Sequence, residues 1–299
     1  MEKAKVYYIK EITSENLVKA YQTLGKKLPG KVAVKVHSGE AGNQNYLRAE
    51  FLKEIIEYVN GTVVECNTAY GERFGGERDL TEKHMKVIAD HKWNQLYPFD
   101  LMDAEGPDDI LEIPNGKVLK KDIVGKNMKN YDSMLIVSHF KGHPMGGYGG
   151  ALKQLSIGCA SSAGKALIHS AGESEDIIKA WDVDNHTGFL ESMADAASAV
   201  VKFFQGNMVF INVMANMSVD CDCVGGGAAE DPCMEDMGIL ISEDPIAIDQ
   251  ACLDIVINSN DPGKEHFLER VNSRNGFHTI EAACNLGFGT KEYELITLE

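Results

Sequence analysis

The segment SHFKGHPMGGYGGALKQLSIGCAS, residues 138–161, constrains this chain more than any other stretch of it. It carries six glycines, two histidines, two lysines and a cysteine, and it grows out of the apolar run YDSMLIVSHF at 131–140. An apolar run of this kind is typical of a strand buried on both faces, the habit of parallel sheets. Glycine is costly to order, so a glycine-rich exit from a strand implies that something approaches the backbone closely.

The strand has companions. KVAVKVH (31–37), TVVECN (62–67), NMVFINVM (207–214) and MGILISED (237–244) read as further strands. Between them, AEFLKEIIEYVN (49–60) has helical periodicity and stops at Gly61. Helices are also predicted over 81–91 with Thr81 as cap, over 149–154 and over 187–204. DPIAIDQACLDIVINS starts another, with Asp244 at the N-cap and Pro245 in first position. The alternation predicts an α/β fold: a mainly parallel twisted sheet with helices on both faces, Rossmann-like. No repeat or linker interrupts it, so residues 1–299 are expected to form one domain, or two α/β lobes with a site between them.

In such sheets ligands bind beyond the carboxyl ends of the strands. Five polar loops follow the five strands: HSGEAGNQNY, CNTAYGERFGG, the glycine segment, ANMSVDCDC and SEDP. If every strand runs parallel, they share one edge. Gly146, Gly147, Gly149 and Gly150 sit where a strand gives way to a helix, and free amides there make a seat for phosphate or carboxylate. Lys153 supplies the counter-charge. The competing reading is a tight turn that packs helix against sheet. The P-loop register and the dinucleotide fingerprint are both absent. His143 is either a general acid/base or ligand, or a structural hydrogen-bonding group. It follows His139 by four residues, but Pro144 and the glycines predict loop rather than a helical metal pair.

The seven cysteines are an odd set without the spacing of a disulfide scaffold. Cys221 and Cys223 flank Asp222, and Cys233 follows a glycine run at 225–227. Thiolates select soft metals, so these three are candidate ligands for zinc, iron or an iron–sulfur cluster, with Cys159 or a histidine completing the set. Redox thiols and inert cysteines are the alternatives. Neither paired C-x2-C zinc ligands nor a ferredoxin run is present. Cys66 and Cys252 read as core.

A net charge of −16 argues against nucleic acid and anionic membranes, which reward basic faces. No signal peptide or membrane-length apolar run is evident, which predicts a cytoplasmic protein.

Taken in order, HFKGHPMGGYGGALKQLSIG, DCDC and DMGILISEDPIAIDQACLD resemble the family of domain of unknown function 362, iron–sulfur centre proteins of bacteria and archaea. Many of its members carry a ferredoxin-like insert where this chain has only residues 164–189, so the resemblance implies the core domain without a two-cluster electron path. His143, Lys153, Cys221 and Cys223 fall at its motif positions. HPMGGYGGALKQLSIG is also similar to the H-x3-G-F/Y-S-G-G-x-K-x3-P-G stretch of the nickel-pincer lactate racemase family, with His143 and Lys153 on its His and Lys. The serine and final proline of that stretch are absent here, and the similarity implies common architecture only. Two function classes follow. One is an enzyme or redox protein acting on a small anionic molecule in a cleft between loops 138–153 and 220–233. The other is a noncatalytic metal or electron carrier serving a redox partner, or working as a homodimer.

Overall fold

Side-chain alternation along the apolar strands decides the architecture of the computed structural model, which describes residues 3–71 and 75–299. The strands are β1 (Ala4–Ile9), β2 (Val32–Lys35), β3 (Gly61–Glu65), β4 (Phe99–Leu101), β5 (Asp109–Glu112), β6 (Lys121–Val124), β7 (Ser133–His139), β8 (Lys141–His143), β9 (Gly147–Gly149), β10 (Met208–Met214), β11 (Gly238–Ser242) and β12 (Tyr293–Thr297). The helices are α1 (Ser14–Leu24), α2 (Lys53–Tyr58), α3 (Thr81–Asp90), α4 (Trp93–Leu96), α5 (Ala151–Cys159), α6 (Ser162–His169), α7 (His186–Phe204), α8 (Pro245–Asn258), α9 (Lys264–Ser273) and α10 (Phe277–Leu286).

Eight strands form one sheet in the order β12-β1-β11-β10-β7-β2-β3-β4. On β7, Met134 and Ile136 enter one core and Leu135 and Val137 the other. On β10, Phe210 alternates in the same way with Val209 and Ile211. That period of two buries both faces. One face packs on α5, α7, α8 and α10, and the other on α1 and α2. The fold is therefore α/β with a mostly parallel, mixed sheet.

One expectation about topology is corrected. β11 runs antiparallel to both its neighbours, β10 and β1. The SEDP loop that ends it thus lies at the opposite edge from the loops after β2, β3, β7 and β10, which run parallel to one another. Four loops converge, not five. Glu72, Arg73 and Phe74 of the loop after β3 lie outside the described residues.

Helix ends follow local chemistry. Asp244 accepts hydrogen bonds from the Ile246 and Ala247 amides at 2.8 and 3.0 Å, and Pro245 opens α8 as the sequence predicts. Thr81 is not the cap of α3: Leu80 holds that position, and the Thr81 hydroxyl accepts from Asn67 instead. The predicted helix over 49–60 begins as a 3₁₀ turn at Ala49–Leu52 before α2. Eight of the nine residues of α5 are buried, Lys153 and Gln154 among them. Polar side chains in so buried a helix need an interior polar space to face.

Candidate functional site

That space is a cavity of about 360 Å³ at the carboxyl edge of the parallel strands, walled by the loops after β2, β3, β7 and β10 and by α5 and α6. The C-x-C loop reaches it because of the residue between its cysteines. The Asp222 carboxylate meets His139 Nδ1 at 2.9 Å and Lys141 Nζ at 3.0 Å, and its backbone carbonyl accepts from the Glu40 amide. Burial alone would raise this carboxyl, but His139 and Lys141 hold it well below the usual range. Asp222 thus pins the loop to the ends of β7 and β8, and both cysteines turn toward the cavity.

Cys221, Cys223 and His37 place their ligand atoms within 4.8 Å of one another, the one such His/Cys/Asp/Glu group among the described residues. His37 follows β2. Its Nδ1 accepts from the Gly39 amide at 3.1 Å, so in the neutral ring Nε2 carries the proton and faces Cys223 Sγ at 3.0 Å. Burial lowers the pKa of His37 and favours that neutral ring. The Cys223 thiol hydrogen-bonds to Cys221 and, with Lys153 and Lys141 nearby, brings the Cys221 thiol down to about 5, against the effect of burial. Cys221 is a thiolate at neutral pH. Lys153 Nζ lies 3.8 Å from its sulfur. Two thiols and an imidazole suit one soft ion with an open position, and they fall short of the four protein ligands of an iron–sulfur cluster.

The structure thus brings His143, Lys153, Cys221 and Cys223 to one cavity and leaves Cys233 out. Cys233 packs on the core, with its thiol donating to the Met217 carbonyl. Cys159 is also elsewhere, buried beside Met134. The third candidate ligand is His37, whose signal was a histidine closing an apolar strand.

The glycines have a different purpose from the one expected. The segment folds back as a hairpin of β8 and β9. The first free amides of α5, those of Ala151 and Leu152, donate to the buried Asp249 carboxylate at 2.7 and 3.0 Å. An internal anion already caps the helix, so no external one is seated there. A Cβ at Gly150 would stand 2.4 Å from Asp249 Oδ1, and one at Gly147, where φ is +80°, would stand 2.9 Å from Gly276 Cα. Gly146 spends its amide on His143 Nδ1 at 2.8 Å, and Met145 adds a second donor at 3.2 Å. With Nδ1 so engaged, and with burial and Lys153 holding the ring well below its ordinary pKa, His143 is neutral. Of the roles the sequence left open for His143, acid/base or ligand on one side and hydrogen bonding on the other, this arrangement leaves Nε2–H as a hydrogen-bond donor.

Charge on the wall is uneven. Arg78 is compensated by Glu40 at 3.1 Å and Glu65 at 3.2 Å. Burial alone would raise Glu65, but the His84 hydrogen bond and the Arg78 charge hold it well below the usual range. Lys35, Lys153 and Lys165 differ: all are buried, all line the cavity, and among the described residues none pairs with a carboxylate. Their amines meet the Val36 carbonyl, the Cys221 sulfur and the Ala160 carbonyl respectively. Burial pulls the Lys35 ammonium below its ordinary range.

A model of the family described as domain of unknown function (DUF362) matches residues 32–254. Among solved structures the chain is similar to the lactate racemase apoprotein from Thermoanaerobacterium thermosaccharolyticum, at 14% identity and a TM-score of 0.41, over 69% of this chain and 50% of that one. It is also similar to a Thermotoga maritima protein from a structural genomics consortium, at 12% identity and a TM-score of 0.40, over 91% and 58%. The chain spans about half the length of these proteins, and likeness at this level bears on neither site nor chemistry. No curated protein matches it. The family match runs from β2 into α8 and encloses the whole cavity wall, and on that match the chain belongs to the domain of unknown function family DUF362.

Proposed function

We propose that this protein is a metal-dependent enzyme acting on a small anionic molecule, with Cys221, Cys223 and His37 holding one soft ion, zinc or iron, at the cavity wall. The observation that carries the reading is the trio of buried lysines without carboxylate partners among the described residues, beside a thiolate–imidazole cluster. Burying a cation is costly unless an anion compensates it; the Cys221 thiolate faces Lys153, whereas among the described residues Lys165 meets only the Ala160 carbonyl, so a ligand's anion completes the compensation. When bound, a soft cation polarises a carboxylate or carbonyl oxygen. Lys153 and Lys165 orient the anion, and the Nε2–H of His143 donates to one of its oxygens. Lys35, its ammonium disfavoured by burial, takes and returns a proton.

Protein purified without oxygen is expected to hold zinc or iron near one equivalent, by elemental analysis. Cys221→Ser should lose most of it and His37→Ala a large part. Folded, metal-free wild-type protein overturns the metal half of the reading. The Gly39 contact favours a second one, because it keeps a proton on the ring nitrogen that faces Cys223. In that case Cys221 and Cys223 exchange with an external disulfide, which takes up their two electrons and two protons and leaves as two thiols while the Cys221–Cys223 bond forms; thiol titration of reduced, metal-free protein would show two fast thiols, one of which is removed in each Cys→Ser variant.

A further inference from the structure

We infer that the loop after β2, residues 37–45, is a clasp that holds the cysteine loop in its ligating form before an ion arrives, with Asn43 as its positioning residue. The inference rests on the metal reading above and adds how the ligands come to be in place. The two loops are tied through their backbones. The Glu40 amide donates to the Asp222 carbonyl at 2.9 Å, and the Gly226 and Gly227 amides donate in return to the Ala41 and Gly42 carbonyls at 2.8 and 3.1 Å. Side-chain amides extend the contact. Asn43 Nδ2 donates to the Val224 carbonyl at 2.9 Å, Gln44 Nε2 to that of Ala229 at 2.9 Å and Asn45 Nδ2 to that of Glu230 at 2.8 Å. So close an approach of backbone to backbone needs residues without side chains. A Cβ on Gly42, where φ is +75°, would stand 3.1 Å from Gly226 Cα, and one on Gly225 would stand 2.9 Å from the Ala41 carbonyl oxygen. The glycine run at 225–227 therefore serves the crossing of two loops.

The clasp bears directly on the ligands. His37 opens the first loop, its Nδ1 held by the Gly39 amide, and Cys223 adjoins Val224, the residue that Asn43 ties. Val224 also closes a turn across the thiol pair, its amide donating to the Cys221 carbonyl at 2.9 Å. Asn43 is itself fixed: it is buried, and its Oδ1 accepts from the Asn45 and Tyr46 amides at 2.9 and 3.1 Å. One asparagine thus connects the segment that carries the imidazole with the turn that carries both thiols. These ties use neither His37 Nε2 nor either sulfur, so they do not depend on an ion. Where ligands must first be gathered, the free energy of metal binding goes into folding. A preformed set keeps it as affinity, and partners that orient the ligands commonly matter about ten- to a hundredfold in that affinity.

Two measurements on the whole protein test this. Amide hydrogen exchange is followed at Gly226 and Gly227 in zinc-loaded and in chelated protein, and their protection is expected to differ by less than about tenfold. Exchange at the rate of an unstructured peptide after chelation overturns the clasp, since the ion would then be what holds the loop. This measurement needs only the wild-type chain, so it stands whether or not a variant folds. Cobalt(II) titration of the chelated protein reads the ligands through their thiolate charge-transfer absorbance. Asn43→Asp keeps the acceptor for the Asn45 and Tyr46 amides and loses the donor to Val224, so its cobalt affinity should fall at least about tenfold. Equal cobalt affinity in wild type and Asn43→Asp overturns the role of Asn43 and leaves the metal reading standing. Wild-type protein that takes up no cobalt overturns the metal reading and this inference with it.

Discussion

At the scale of single residues, Asp222 and Gly150 separate what the chain does from what it resembles. Asp222 touches no cavity space, yet it compensates His139 and Lys141 and fixes the direction of both neighbouring cysteines. Asp222→Ala leaves a buried lysine unpaired and should cost about 3–5 kcal/mol in denaturant unfolding. Gly150→Ala drives a methyl into Asp249 and should cost about 1–3 kcal/mol. Lys153→Ala should instead weaken anion binding and raise the pKa of the Cys221 thiol, followed by its ultraviolet thiolate absorbance. His143, Lys153 and the C-x-C pair were legible in the sequence because they are unusual residues in a loop or beside glycine. Lys35, His37 and Lys165 were not, since a lysine or histidine at a strand end or in a helix is normally solvated. The available clue was Lys35 itself, a charge inside a strand otherwise fit for burial on both faces. Cys233 misled for the opposite reason. Its spacing allowed ligation, and only the fold shows its sulfur turned to a backbone carbonyl.

At the scale of elements, long apolar strands and α8 were readable because period and caps agreed. The three-residue strands β8 and β9 were not, being shorter than any period can register. The reversal of β11 was hidden too, since antiparallel and parallel strands buried on both faces read alike. β6 carries an element-level liability. Asp122 is fully buried, one of its oxygens has no partner, and burial pushes its pKa up to about 7. The folded state therefore holds this proton more tightly than the unfolded chain does. Its contribution is complete below the ordinary carboxylate range and is lost as pH rises through about 7. Asp122→Asn should stabilise the protein at pH 8, by up to about 4 kcal/mol, and flatten the fall in stability between about pH 4 and 7. A melting series across pH for both proteins checks this, and parallel curves would refute it.

At the scale of the whole molecule, the cavity wall is drawn from Lys35 through Val224, so β2, β3, β7 and β10 must all be in place before the site exists. Among the described residues no helix is long and apolar enough to cross a membrane. The placement of charge has a consequence for rates. The molecule carries a net −16, while the lysines that await an anion are sunk within it. An approaching carboxylate meets repulsion first and attraction only at the end. Screening reaches the two unequally: at about 0.1 M salt the Debye length is about 10 Å, which mutes the outer field and spares buried charges. Added salt should thus speed association of an anionic probe in stopped flow while leaving its dissociation nearly unchanged. In most proteins that bind anions through a basic surface, salt slows that encounter; here it should act as a lubricant.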